Sequence, residues 1–170
     1  GGVNYTVAPV VGFALPPALN LVTSPGSGYT ALPTVTVTGG NLVTGSALTS
    51  ANFTVTVNQG QVASVYLNTG TTATYSTLPT LALSVSPGTT ATLEFPAGCL
   101  PAATANIGSN GQLTSFTITN AGFGYATAPT VGIGTSSGSA NGGTFTTVAN
   151  APTARIALYN LTLNFFGPAL

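Results

Sequence analysis

Hydrophobic and polar residues alternate along this chain with a period of two. Thr34-Val35-Thr36-Val37-Thr38, Phe53-Thr54-Val55-Thr56-Val57 and Thr80-Leu81-Ala82-Leu83-Ser84-Val85 each place every second side chain on one face, the pattern of a half-buried strand. β-branched residues fill these runs, and Gly, Pro and Asn punctuate them. No segment sustains helical spacing with capping residues at its ends. The expected fold class is therefore all-β, with antiparallel, β-sandwich-like sheets built from degenerate hairpin repeats. Residues 1–170 read as a single elongated β domain; the alternative is an internal division near 87–103 into two repeat-built halves.

The strands come in repeats. A Tyr-x-x-x-Pro element occurs four times, at Tyr5–Pro9, Tyr29–Pro33, Tyr75–Pro79 and Tyr125–Pro129, and each copy runs straight into an apolar or alternating stretch. Glycines before the tyrosine allow a turn with positive φ, the ring can cap the core, and proline starts an extended run without breaking a ladder. Upstream of two copies lies a second matched piece. Gly60-Gln61-Val62-Ala63-Ser64-Val65 parallels Gly111-Gln112-Leu113-Thr114-Ser115-Phe116, 15 residues before Tyr75 and 14 before Tyr125. Asn58-Gln59 and Ser109-Asn110 mark a turn before each glycine, and Asn110-Gly111 between alternating runs is a strong hairpin signal. The repeating unit reads as strand, tight turn, strand, Gly-Tyr loop, Pro-initiated strand.

The Gly-x-Gly-Tyr-x-x-x-Pro-Thr-Val element, fed by Gly-Gln-Val-x-Ser-Val, resembles the repeats of large bacterial surface proteins and phage tail-fibre-type structural proteins. The resemblance covers roughly residues 20–40, 52–86 and 104–134. It implies an extracellular or virion structural role and carries over no catalytic residue. The third copy departs from it, with Thr74 where the second and fourth have Gly28 and Gly124.

The two ends are complementary. Arg155–Tyr159 reads as the first strand of a unit and Leu161–Phe166 as the second, with no Gly-Tyr loop after them; the first Tyr copy has no strand before it. Set ahead of a second copy, Leu161 falls 14 residues before Tyr5, the spacing from Gly111 to Tyr125. The expectation is head-to-tail assembly by strand addition, with Leu161, Leu163, Phe165 and Phe166 of one subunit meeting Val3, Tyr5, Val10, Val11 and Phe13 of the next. Pairing of both ends inside one chain, or a period cut from a longer polypeptide, are the alternatives.

Charge narrows the chemistry. Of 170 residues only Glu94 and Arg155 carry a formal charge, and His, Met and Trp are absent. General acid–base catalysis needs a titratable pair, nucleic-acid binding a basic patch, and metal sites several carboxylates or a His/Cys cluster. The sequence thus predicts no enzyme, no cofactor and no nucleic acid. Proline at 9, 16 and 17 interrupts the most apolar stretch, so no membrane span is expected. Thr, Ser and Asn stand where Lys and Glu usually guard strand edges, which suits a protein that assembles with identical subunits. Extracellular or cell-surface localisation follows, with the virion surface as the alternative.

Four smaller expectations complete the picture. Glu94 and Arg155 form a pair fixing the register of the last strands, or stand as two unrelated surface charges. Cys99, flanked by apolar residues and prolines, reads as a buried inert thiol. Asn4, Asn52 and Asn160 begin Asn-x-Thr triplets, potential N-glycan acceptors in a secreted chain. The tyrosines and Phe123 read as core caps rather than a sugar-stacking platform. The functional expectation is a non-enzymatic structural subunit of an extracellular filament or pilus-like fibre; the alternatives are a phage or virus fibre or capsid-surface protein, and a carbohydrate-binding adhesion module.

Overall fold

The computed structural model describes residues 5–84 and 88–134, and the backbone of a short antiparallel pair, Ala149–Asn150 with Ala157–Leu158. The remaining strands are β1 (Val11–Ala14), β2 (Val22–Ser24), β3 (Val35–Thr38), β4 (Asn41–Thr44), β5 (Phe53–Asn58), β6 (Gln61–Leu67), β7 (Thr74–Thr77), β8 (Thr80–Leu83), β9 (Thr92–Leu93), β10 (Ala102–Ile107), β11 (Leu113–Asn120) and β12 (Val131–Ile133). Every pairing is antiparallel, and a 3-10 turn at Ser50–Asn52 is the one helical element among the described residues. The protein is all-β, as the alternation predicts.

Both predicted hairpins form. β5 and β6 join through Gln59 and Gly60, whose φ values of 50° and 73° are those of a two-residue type I′ turn. β10 and β11 join through a longer loop in which the Gly111 N–H donates to the Gly108 carbonyl at 2.9 Å and the Gly108 N–H to Gln112 at 2.7 Å. Asn110-Gly111 therefore marks the hairpin but sits in a wider turn than two residues. Each hairpin carries a bulge at the same place. Val57 faces Val62 and Thr56 faces Ser64, leaving Ala63 unmatched; Ile107 faces Leu113 and Asn106 faces Ser115, leaving Thr114 unmatched.

The four Tyr copies pair off in a nested order. The strand after the first copy, β1, pairs with β12 after the fourth, and β3 after the second pairs with β8 after the third. The register is the same in both: Val11↔Ile133, Gly12↔Gly132 and Phe13↔Val131 match Val35↔Leu83, Thr36↔Ala82 and Val37↔Leu81. The bonds that end each ladder match as well, Gly134 N–H to Val10 at 2.8 Å and Ser84 N–H to Thr34 at 2.9 Å. Each hairpin glycine accepts from the tyrosine that opens its unit, Tyr29 N–H to Gly60 at 3.0 Å and Tyr5 N–H to Gly111 at 2.9 Å. In chain order, an inner unit around β3, β5, β6 and β8 thus lies between β1 and the remaining strands, β10, β11 and β12, of an outer unit. The equivalence extends upstream: Ser24↔Thr92 and Val22↔Leu93 repeat as Asn120↔Ala102 and Ile118↔Ala103.

The third copy differs where the sequence does. Gly28 and Gly124 hold φ of 81° and 84°, whereas Thr74 lies in extended strand β7 and is fully buried. β7 lies between β1 and β4 in a four-stranded sheet ordered β12-β1-β7-β4. β4 packs across the outer pair, so a Cβ at Gly12 would stand 2.6 Å from the Val43 side chain, and one at Gly132 would overlap the Thr74 and Thr44 hydroxyls. The equivalent inner residues, Thr36 and Ala82, face solvent and carry side chains. One hydrophobic cluster joins both units, reaching from Tyr5 through Phe13, Leu21, Val65, Tyr75 and Cys99 to Leu113.

Candidate assembly surface

The motif residues are structural. Tyr5, Tyr29 and Tyr75 are buried, as are Pro9, Pro33, Pro79 and Pro129, and Tyr125 is half-buried. Three of the hydroxyls bind backbone: Tyr29 accepts from the Ala91 N–H at 2.8 Å, Tyr75 accepts from the Leu48 N–H at 3.1 Å, and Tyr125 donates to the Ala14 carbonyl at 2.7 Å. The residue equivalent to Ala91 in the outer unit is Pro101, which has no N–H to give; Tyr125 turns to another partner. Phe123 is half-buried against the core. These rings cap the interior and form no open stacking platform.

Of the residues expected at a subunit junction, Val3, Leu161, Leu163, Phe165 and Phe166 lie outside the described residues. Tyr5, Val11 and Phe13 belong to the chain's own core, and β1 is flanked by β12 and β7. Val10 alone of the described members is exposed, at 49%. β1 therefore has no open edge in this sheet. In the four-stranded sheet the outer strands are β4 and β12, and neither carries a charged residue. The most exposed large apolar side chains among the described residues, Val7 and Leu32, both sit between a motif tyrosine and its proline.

Glu94 is exposed, and its N–H donates to the Leu21 carbonyl at 2.9 Å; Arg155 lies outside the described residues, as do Asn4 and Asn160. Asn52 is half-buried in the 3-10 turn, and its Oδ1 accepts from the Thr49 N–H at 2.7 Å. Glu94 is thus the one formally charged side chain among the described residues. Hydroxyls and amides take the place of ion pairs across the strands: Thr23 with Thr92 and Thr56 with Ser64 at 2.7 Å, Asn41 with Ser76 at 2.9 Å, and Asn106 with Ser115 and Thr117 at 3.0 Å.

A shallow cleft of about 300 Å³ lies between Ser46–Thr49, Asn52 and Gly70–Ala73. Its hydroxyls have no titratable neighbour in the lining to activate them. Cys99 is buried and free, and burial pushes its thiol up to about 11, against a smaller lowering by backbone hydrogen bonds. Burial also raises the Tyr125 phenol, with the neighbouring Cys99 adding to the effect. Among the described residues no three His, Cys, Asp or Glu come together, and no helix is long and apolar enough to cross a membrane. Comparison with protein-family models, curated proteins and solved structures gives no match.

Sequence reasoning located the repeats and missed their pairing order and the shared bulge. The bulge had a signal: Val62 and Val65, like Leu113 and Phe116, are three residues apart, which breaks the period of two.

Proposed function

We propose that this protein is a non-enzymatic structural subunit of an extracellular, pilus-like filament, assembled head-to-tail through β-strand addition between subunits. The observation that carries this reading is the composition of its strand edges. The side-chain devices that blunt natural edge strands are Lys, inward charges and proline within the strand. β4, with Asn41-Leu42-Val43-Thr44, and β12, with Val131-Gly132-Ile133, have none of these. Backbone ladders formed there gain main-chain hydrogen bonds with no charge repulsion to overcome. The hydroxyl and amide surface supplies solubility without charge. Negative-stain imaging of the purified protein over a concentration series tests the reading: filaments are expected, and monodisperse single particles at every concentration would overturn it.

A further inference from the structure

The two hairpin turns differ in a residue that decides their chemistry. The glycine that accepts from a motif tyrosine follows Gln59 in the inner hairpin and Asn110 in the outer one. An asparagine before glycine can be attacked by its own chain. The backbone nitrogen that follows closes a small, unstrained ring on Cγ, and glycine has no side chain to hinder the approach. Glutamine carries a further methylene, so its ring is larger and closes far more slowly.

The outer turn arranges this reaction. Asn110 is exposed, and its Oδ1 accepts from the Gln112 N–H at 3.2 Å. That bond is an Asx turn; it folds the side chain forward over the Gly111 peptide and brings Cγ towards its nitrogen. The same donor stabilises the negative charge that develops on Oδ1 as Cγ is attacked. The Gly111 N–H donates to the Gly108 carbonyl at 2.9 Å. Attack therefore follows local opening of that bond, and the folded protein reacts more slowly than its unfolded chain.

We propose that Asn110 is a self-modification site that gives this protein a charge its sequence does not encode. The Gly111 nitrogen bonds to Asn110 Cγ, the Cγ–Nδ2 bond breaks, and Nδ2 departs as ammonia with the proton of the Gly111 N–H. Water then opens the resulting succinimide at either carbonyl, leaving aspartate or isoaspartate at position 110. Either product takes the formal net charge from zero to minus one and puts a carboxylate on a hairpin, residues 102–120, that holds no charged residue. The products differ in the main chain. Aspartate leaves it unchanged and keeps an oxygen for the Gln112 N–H. Isoaspartate routes it through Cγ and so adds a methylene before Gly111, whose carbonyl accepts from the Tyr5 N–H at 2.9 Å. Isoaspartate thus displaces the anchor of the first motif copy, while Gln59-Gly60 keeps its hold on Tyr29.

The test holds the folded wild type in mildly alkaline buffer at physiological temperature. Isoelectric focusing follows the charge, and fragmentation mass spectrometry locates the change and tells aspartate from isoaspartate. Asn110→Gln, which copies the inner turn, is the control; Asn110 is exposed and its φ lies outside the left-handed region, so the variant keeps the fold. A more acidic species modified at Asn110 is expected in the wild type, with Gln59 intact and position 110 unchanged in the variant. Asn110 intact over a period in which the urea-unfolded chain deamidates there would overturn the site. So would modification confined to Asn141-Gly142, the other Asn-Gly pair of the sequence, which lies outside the described residues. Amide hydrogen exchange at Tyr5 reads the anchor: protection is expected to be lost in the isoaspartate fraction and kept in Asn110→Asp. Equal protection in both would overturn the displacement of Tyr5 and leave the modification site standing.

Discussion

At Gly132 an added methyl group meets the Thr74 and Thr44 hydroxyls, which are themselves bonded at 2.7 Å inside the sheet. Thr74 has no room to retreat, because it is fully buried between β1 and β4. Gly132→Ala is expected to lower stability by about 1–3 kcal/mol, the usual cost of overpacking. Ala82→Ser, at the equivalent exposed site of the inner pair, should stay within about 0.5 kcal/mol; urea unfolding of both variants checks the contrast. Cys99 gives a second test. Its folded pKa is about 11 against an ordinary 9.0, so the folded state holds the thiol proton more tightly than the unfolded chain. That preference contributes fully below about pH 9 and is lost as pH rises through 9 to 11. Tyr125, raised by burial as well, acts in the same direction at higher pH. Denaturation midpoints should therefore fall between pH 9 and 11, and a rise over that window would contradict the buried thiol.

The β5–β6 turn holds Gln59 at φ 50°, a conformation that costs a glutamine more than an asparagine. Gln59→Asn would create the Asn-Gly pair favoured in type I′ turns and should stabilise the protein by about 0.5–1 kcal/mol. Gly60→Ala should destabilise by at least about 1 kcal/mol, because its φ is 73° and its carbonyl also holds Tyr29. Thermal unfolding of the two variants, shifting in opposite directions, checks the turn. Such turns were legible in the sequence, because a glycine between two alternating runs supplies the positive φ that a tight reversal of the chain requires. So were the strands, their antiparallel pairing and the structural place of the tyrosines. Which copy pairs with which was not legible: all four copies carry similar apolar positions before and after the central residue, and long-range pairing leaves no local periodicity. The one distinguishing mark lay at that central residue, glycine at 12 and 132 but threonine and alanine at 36 and 82, and its meaning depends on β4 arriving from elsewhere in the chain. The junction residues misled for a related reason. Val11 and Phe13 look like an unsatisfied apolar strand only until β12 and β7 are placed on either side.

At the scale of the molecule, cohesion among the described residues comes from buried apolar faces, backbone ladders and neutral side-chain bonds such as Thr56 with Ser64, and Glu94 is the one charged side chain among them. Salt acts on charged contacts: the Debye length shrinks from about 30 Å at 0.01 M to about 3 Å at 1 M, and an ionic interface weakens across that range. A neutral ladder has no such term. Each neutral hydrogen bond contributes about 0.5–1.5 kcal/mol net whatever the ionic strength, and salting-out ions strengthen apolar burial. On the proposed reading, filaments are expected to keep their length distribution from about 10 mM to about 1 M sodium chloride at neutral pH and to become more stable in sulfate. Urea, which solvates both peptide and apolar groups, should disassemble them where sodium chloride does not. Sedimentation of assembled material across both series separates the cases. Release of subunits by molar sodium chloride would mean that charge holds the interface, which in this chain leaves only Glu94 and Arg155 to supply it.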